Sequence, residues 1–190
     1  MLLFLITDTE DSNITDANPG SKAELFGRLY EQYLPKIFQY VNYRVGDRTT
    51  AEDLTSDIFN KVLTNFTKYD SGKAAFSTWI FFIARNTLID YYRARNREQK
   101  LQKGAESNGL VFSTSLEEEA SRSEEIRKLR ECISLLNHNE QELISLKFSG
   151  EMTNREISRI TGLSESNVGT ILCRAVRKLR DGFLGWQHER

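Results

Sequence analysis

The stretch TNREISRITGLSESNVGTILCRAVRKLRD, residues 153–181, decides how this chain is read. Thr153 followed three residues later by Glu156 has the form of a capping box, in which each side chain takes up an orphan amide at a helix start. The spacing predicts a short helix carrying Ile157 and Ile160, a tight turn at Thr161-Gly162-Leu163-Ser164, and a last helix from Glu165 to about Asp181. Val168, Leu172, Ala175 and Leu179 fall on one side of that helix at intervals of three and four. Short helix, glycine turn and longer helix make the helix-turn-helix pattern, whose second helix faces base edges with its amino-terminal half and phosphates with its basic end.

Upstream, Ile126, Leu129, Ile133 and Leu136 give a helix from about Ser123 to Leu136, and a second follows from about Asn139 to Phe148. Between about Lys103 and Arg122 the chain reads GAESNG, then Ser/Thr, then Glu117-Glu118-Glu119, without an apolar period. A segment of about 20 residues is long for a loop inside one domain, so it is read as a flexible linker or a segment ordered by a partner.

The first half also reads as helices. Leu25, Leu29, Ile37 and Val41 recur with helical spacing from Ala23 to Val45, with Pro35 expected to bend or interrupt the helix and Gly46-Asp47 to end it. Thr49-x-x-Glu52 has capping-box form and opens a second helix with Leu54, Ile58, Val62 and Phe66 inward. After turn chemistry at Tyr69-Asp70-Ser71-Gly72-Lys73, Ser77 is expected to cap a third helix with Ile80, Ile83, Ala84, Thr87 and Leu88 along one side. The fold class is therefore all-α, as two small helical domains joined by a flexible linker. The expected boundaries are a mobile tail over residues 1–22, a first domain over 23–98, a linker over 99–122, a second domain over 123–184 and a C-terminal tail over 185–190.

Composition narrows the function. In 190 residues, Lys plus Arg number 26 against 27 Asp plus Glu, so the net charge of −1 draws the whole molecule to neither nucleic acid nor acidic lipid. The charge is instead segregated. From Ser71 to Lys103 seven basic residues face only Asp90 and Glu98, a balance of +5, and from Thr153 to Asp181 six face Glu156, Glu165 and Asp181, a balance of +3. The first patch is interleaved with Tyr69, Phe76, Trp79, Phe81, Phe82, Tyr91 and Tyr92, more rings than one helix face can bury. Arginines beside exposed rings suit unpaired bases, each stacked base gaining about 1 to 3 kcal/mol. Single-stranded DNA is thus the expected ligand of the first domain and duplex DNA of the second.

Other chemistry is thinly supported. Cys132 and Cys173 are too few for a disulfide framework and lack the C-x-x-C spacing of a zinc site, which points to a reducing cytosol. A zinc set drawn from Cys132, His138, Cys173 and His188 is the weakest reading. Leu2 to Ile6 is too short for a signal peptide core and lacks a basic flank, so neither a targeting signal nor a membrane span is expected.

FSTWIFFIARNTLIDYYRAR (residues 76–95), preceded by AEDLTSDIF (residues 51–59), resembles region two of the bacterial RNA polymerase sigma-70 family. The short two-domain form is similar to its extracytoplasmic-function group, and EISRITGLSESNVGTILCRAVRKLR (residues 156–180) resembles region four. Ser158 departs from the alanine usual there. The resemblance implies an alternative sigma factor, not an enzyme, without metal or cofactor, that directs core RNA polymerase to particular promoters and helps open them in the cytoplasm. By resemblance, Asp53, Asp57, Asn60 and Lys61 dock on the clamp helices of the polymerase largest subunit, and the helices from Ser123 to Phe148 on its flap. Tyr69, Ser71, Phe76 and Asn86 would capture a flipped base of the minus-ten element, with Arg93, Arg95 and Arg97 on adjacent backbone, while Trp79 is expected to be mainly core. Ser166, Asn167, Thr170 and Arg174 would read the minus-thirty-five element, and Arg177, Lys178 and Arg155 would touch phosphates. The group also implies an anti-sigma partner, with no direct membrane insertion of this chain.

A local excess of +3 on a monomeric element gives weak DNA binding at physiological salt, in a range where non-specific Kd values are about 10⁻⁴ to 10⁻⁶ M. Tethering two such elements on one large enzyme raises the effective concentration of each at its site. The alternative is a helix-turn-helix regulator whose first domain senses a ligand or dimerises; a footprint over symmetric half-sites without polymerase would favour it.

Overall fold

In the computed structural model, which describes residues 22–103 and 124–188, every regular element is helical. Helix α1 (Lys22–Val45) ends where Gly46 adopts φ 74°, a left-handed conformation that costs glycine little. The chain then leaves extended at Asp47 (φ −117°, ψ 127°), whose carboxylate accepts from the Thr50 amide at 2.7 Å and starts α2 (Arg48–Asn65). A 3-10 turn over Phe66–Lys68 and the Tyr69–Ala75 loop lead to α3 (Phe76–Lys103). The second half holds α4 (Glu124–Ser134), α5 (His138–Phe148), α6 (Asn154–Thr161) and α7 (Glu165–His188). The N-terminal tail, most of the expected linker and the last two residues lie outside the described residues.

Several local expectations change. Pro35 does not interrupt α1; it sits on the solvent side with Glu31 one turn earlier, where water can satisfy the carbonyl its ring leaves without a donor. The cap of α2 is Asp47 rather than Thr49, and Glu52 pairs with Arg48 at 2.9 Å instead of reaching back to the helix start. Ser77 lies inside α3 and is buried, donating to Glu156. Leu129 of the expected α4 stripe is exposed, and α3 and α7 each run beyond the ends anticipated for them.

Two three-layer packings form the core. In the first, Ile37 and Val41 of α1 meet Ile58 and Val62 of α2 and Ile80 and Ala84 of α3, all fully buried. In the second, Leu143 and Leu146 of α5 meet Ile157 of α6 and Val168 and Ala175 of α7. Burying one such aliphatic side chain contributes about 1.5 to 3 kcal/mol. Both packings merge into one continuous cluster, because α1 lies against α5 and α3 against α6. Phe81 of α3, fully buried, points at Gly150, where an added Cβ would stand 3.1 Å from its ring. Polar contacts cross the same seam: Arg85 to Glu142 at 2.9 Å, Ser77 to Glu156 at 3.2 Å, and Arg44 to the His138 carbonyl at 3.2 Å.

Candidate nucleic-acid interface

The helix-turn-helix is fixed by three local devices. Thr153 and Glu156 form the reciprocal capping box of α6, and Gly162 closes that helix at φ 77°. Ser158 donates to the Leu163 carbonyl at 2.6 Å across the turn, so the residue that departs from the family's alanine holds the turn it lies beside. Helix α7 then buries Val168, Leu172 and Ala175 and exposes Ser166, Asn167, Thr170 and Arg174 on its opposite side. The spacing 166, 170, 174 stacks three of these along one face, with Asn167 beside them. Thr170 donates its hydroxyl to the Ser166 carbonyl at 3.0 Å, which fixes its rotamer.

The basic residues around this face differ in freedom. Arg155 and Arg177 are exposed, and Arg177 lines an open groove of about 500 Å³ with Lys147, Phe148, Asn154 and Cys173. Lys178 is exposed but paired, its ammonium 2.7 and 3.0 Å from the two carboxylate oxygens of Glu140. Burial alone would raise the Glu140 carboxyl; the Lys178 ammonium and the Asn137 amide outweigh it and hold the group below the usual range. A phosphate contact by Lys178 must therefore compete with a buried carboxylate.

On the first domain, the loop before α3 is built around Asp70, whose side chain accepts from the Gly72 amide at 2.9 Å and whose carbonyl accepts from Lys73 and Ala74. Tyr69 is half-buried, donates to the Ala74 carbonyl at 3.2 Å and lies 5.0 Å from Trp79, ring to ring. Ser71 stands exposed at the tip. Phe76 is only 6% exposed and packs against Tyr33, Phe66, Tyr69 and Trp79, so it supports the loop from beneath and offers no face to a base. Asn86 is half-buried on α3, and Arg93 and Arg97 are exposed one and two turns beyond Asp90, lining a shallow cleft with Asn96. Arg95 is half-buried beside the Tyr91 hydroxyl at 3.5 Å.

Of the seven aromatics that singled out this region, Phe81 is wholly buried and Phe82 is the exposed one, at 46%. Phe82 lies one turn before Asn86 on the same side of α3. Sequence reasoning named Phe82 among the rings but not as a site residue; its i, i+4 relation to Asn86 was the available signal.

Asp53, Asp57, Asn60 and Lys61 are all exposed on one face of α2, at spacings of four, three and one. Lys61 leans toward α3 and donates to Thr87 at 3.0 Å. Beside them a groove between α1 and α2 is lined on its apolar side by Tyr30, Leu34, Phe38 and Phe59 and on its polar side by Arg48, Glu52, Ser56 and Asn60. Among the described residues no group of three or more His, Cys, Asp or Glu side chains converges on a possible metal position. Cys132 is buried beside Gly182, and the His138 ring meets Arg44. No helix among them is long and apolar enough to cross a membrane.

Comparison with known proteins places this architecture. The family profile for sigma-70 region 2 matches residues 29–98 and that for sigma-70 region 4 matches residues 126–179. The RNA polymerase sigma factor YlaC of Bacillus subtilis is 32% identical over 80% of this chain and 88% of its own length. The sigma factor SigM of the same organism is 28% identical over 80% of this chain and 91% of its own. BldN of Streptomyces coelicolor is 32% identical over 84% of this chain, which spans 61% of that longer relative. In three dimensions the sigma factor RpoE of Bartonella quintana, solved with the anti-sigma factor NepR, matches 84% of this chain and 96% of its own at a TM-score of 0.72 and 19% identity, a likeness of fold across both halves. With regions 2 and 4 in order on the two helical packings described above, the chain belongs to the sigma-70 family of RNA polymerase sigma factors, in its extracytoplasmic-function group.

Proposed function

We infer that this chain is an alternative sigma factor that binds core RNA polymerase in the cytoplasm, brings it to promoters through a minus-thirty-five and a minus-ten element, and promotes their opening. The observation that carries the reading is the coexistence of two separate polar faces on two family regions: the exposed Ser166, Asn167, Thr170 and Arg174 on α7, and the loop at Ser71 with Asn86, Arg93, Arg95 and Arg97 along α3. The α7 face is long enough to read a few bases in a major groove. The α3 face combines cations with Phe82 and Tyr69, the chemistry suited to bases out of the stack.

Asp53, Asp57, Asn60 and Lys61 supply the polymerase-facing side of α2, with the neighbouring groove as its floor, and α4 and α5 face the flap. An anti-sigma factor is the expected regulator, as in the relatives solved with one. The factor contributes binding and base capture, and bond making stays with the polymerase. The regulator alternative lacks support, since region 2 and region 4 occur in order on one chain. In vitro transcription with core enzyme on genomic fragments tests the reading. New start sites that depend on this protein are expected, and their absence alongside stable co-elution of protein and core would reject promoter direction.

A further inference from the structure

The seam between the two helical units holds a polar cluster that neither promoter face uses. Arg44, 2% exposed, reaches from α1 to the start of α5. One guanidinium nitrogen donates to the His138 carbonyl at 3.2 Å, and another lies 3.1 Å from both ring nitrogens of that histidine. Tyr92 of α3 closes the other side, donating to the Arg44 carbonyl and setting its ring edge-on to the imidazole with centroids 6.0 Å apart. Arg85 of α3 bridges to Glu142 of α5. The imidazole therefore faces Arg44 from α1, Arg85 and Tyr92 from α3, and Glu142 from its own helix. Two guanidinium groups oppose one carboxylate, and Arg85 already occupies that carboxylate. A guanidinium nitrogen equally far from both ring nitrogens lies against the imidazole face; a neutral face tolerates that cation, whereas an imidazolium adds a third positive charge to a partly dry site.

We propose that His138 is a proton-operated clasp between the two domains: neutral, it holds α5 against α1 and α3; protonated, it repels Arg44 and Arg85 and lets the domains part. The inference is independent of the promoter reading, since it concerns the chain's own equilibrium between closed and open forms. Burial first, and the Arg44 charge second, hold the ring below the ordinary histidine value of 6.5 in the closed form. The open form exposes the same ring to water at its ordinary value. Above about pH 6.5 both forms are neutral and the clasp is at full strength. As pH falls below that, the open form takes up the proton first and closure is lost progressively. Opening also releases Ser77 at the head of α3 from Glu156.

The test is small-angle scattering of the full chain from about pH 7.5 to about pH 5.5 at fixed ionic strength, with far-UV circular dichroism in parallel. The radius of gyration is expected to rise as pH falls, with its midpoint below 6.5 and helix content unchanged, and His138→Gln is expected to keep one radius throughout. The chain has two histidines, so the imidazole proton resonance missing from the variant identifies His138, and its titration should share the midpoint of the expansion. An unchanged radius, loss of helix with expansion, expansion of the variant over the same range, or titration of His138 at or above 6.5 each overturns the proposal. A variant already expanded at the upper pH supports the need for His138 in closure, and the wild-type titration then decides the role of the proton alone.

Discussion

Asp47 holds the start of α2 by accepting from the Thr50 amide, and hydrogen bonding from the Thr50 side chain first and its amide second draws the carboxyl below the ordinary carboxylate range. Loss of such a cap costs about 1 kcal/mol. Asp47→Ala should lose that much in urea unfolding at neutral pH, and Asp47→Asn, which keeps an acceptor, much less. The native carboxylate binds protons more weakly than the unfolded one, so its contribution is complete above the ordinary value of 3.8 and disappears as pH falls through the lower native one. Wild type and Asp47→Ala should therefore converge as pH is lowered below 3.8; a gap that does not narrow at all over the acid range would show that the carboxylate is not the source. On α7, Asn167 and Arg174 are exposed and carry bidentate hydrogen-bonding ends. A good bidentate contact discriminates by about 1 to 3 kcal/mol per base pair, roughly a 5- to 150-fold preference. Asn167→Ala or Arg174→Ala should flatten promoter choice by a factor in that range while binding to core enzyme is unchanged. Promoter competition in single-round transcription measures it, and unaltered selectivity removes these residues from the reading face.

At the scale of the element, what was legible was what the chain encodes within one turn. The Thr153 and Glu156 box and Gly162 are local statements, and each forms as spelled. The start of α2 was expected at Thr49, and the cap is Asp47 because Gly46 turns left-handed and delivers the chain extended at residue 47. Helix α5 was legible in its bounds, about Asn139 to Phe148 against His138–Phe148, but not in its burial, since it covers Glu140, Gln141, Glu142 and Ser145 together with Leu143 and Leu146. A helix covered on several sides has no single apolar stripe to find. The burial of Phe76 was hidden for a related reason: an aromatic beside a basic loop looks available until the rings around it are in place. Gly162 gives the element-scale test. A Cβ there would meet nothing within 4 Å, so Gly162→Ala carries only the backbone penalty of a left-handed alanine. That penalty is about 1 to 2 kcal/mol, expected as a fall in unfolding free energy of that size in urea. A loss well above it would mean that the turn makes contacts beyond its backbone conformation.

At the scale of the whole molecule, the segregated charges suggested two independent modules, and the contacts that join them lie tens of residues apart in the chain, beyond any periodicity. Arg44 and Glu142 are buried at that seam, and no local pattern in the chain marks them for it. Closing the seam also carries a cost, because the Tyr40 hydroxyl and the Arg44 Nε are buried there without a hydrogen-bond partner among the described residues. Each such atom costs about 1 to 3 kcal/mol. The same burial holds the Tyr40 hydroxyl above its usual ionisation range. Among the described residues two ion pairs cross the seam, Lys36 with Glu151 at its exposed side and Arg85 with Glu142, whose side chains retain 23% and 8% of their exposure. Removing one partner of a fully buried pair costs about 3 to 5 kcal/mol, and the partial exposure of Arg85 lowers the expectation here to about 2 kcal/mol by the same reasoning. Arg85→Glu and Glu142→Arg should each shift the chain toward the open form, seen as a larger radius of gyration at neutral pH with helix content preserved. The double exchange restores opposite charges across the seam and should recover at least half of the closure lost by either single change. Coupling of that kind is the signature of a direct contact. Single variants that stay closed would mean that the apolar meeting of Phe81 with the Gly150 turn and the Lys36–Glu151 pair hold the domains together without Arg85 and Glu142, and a double variant as open as the sum of the two would mean that those two charges do not act on each other.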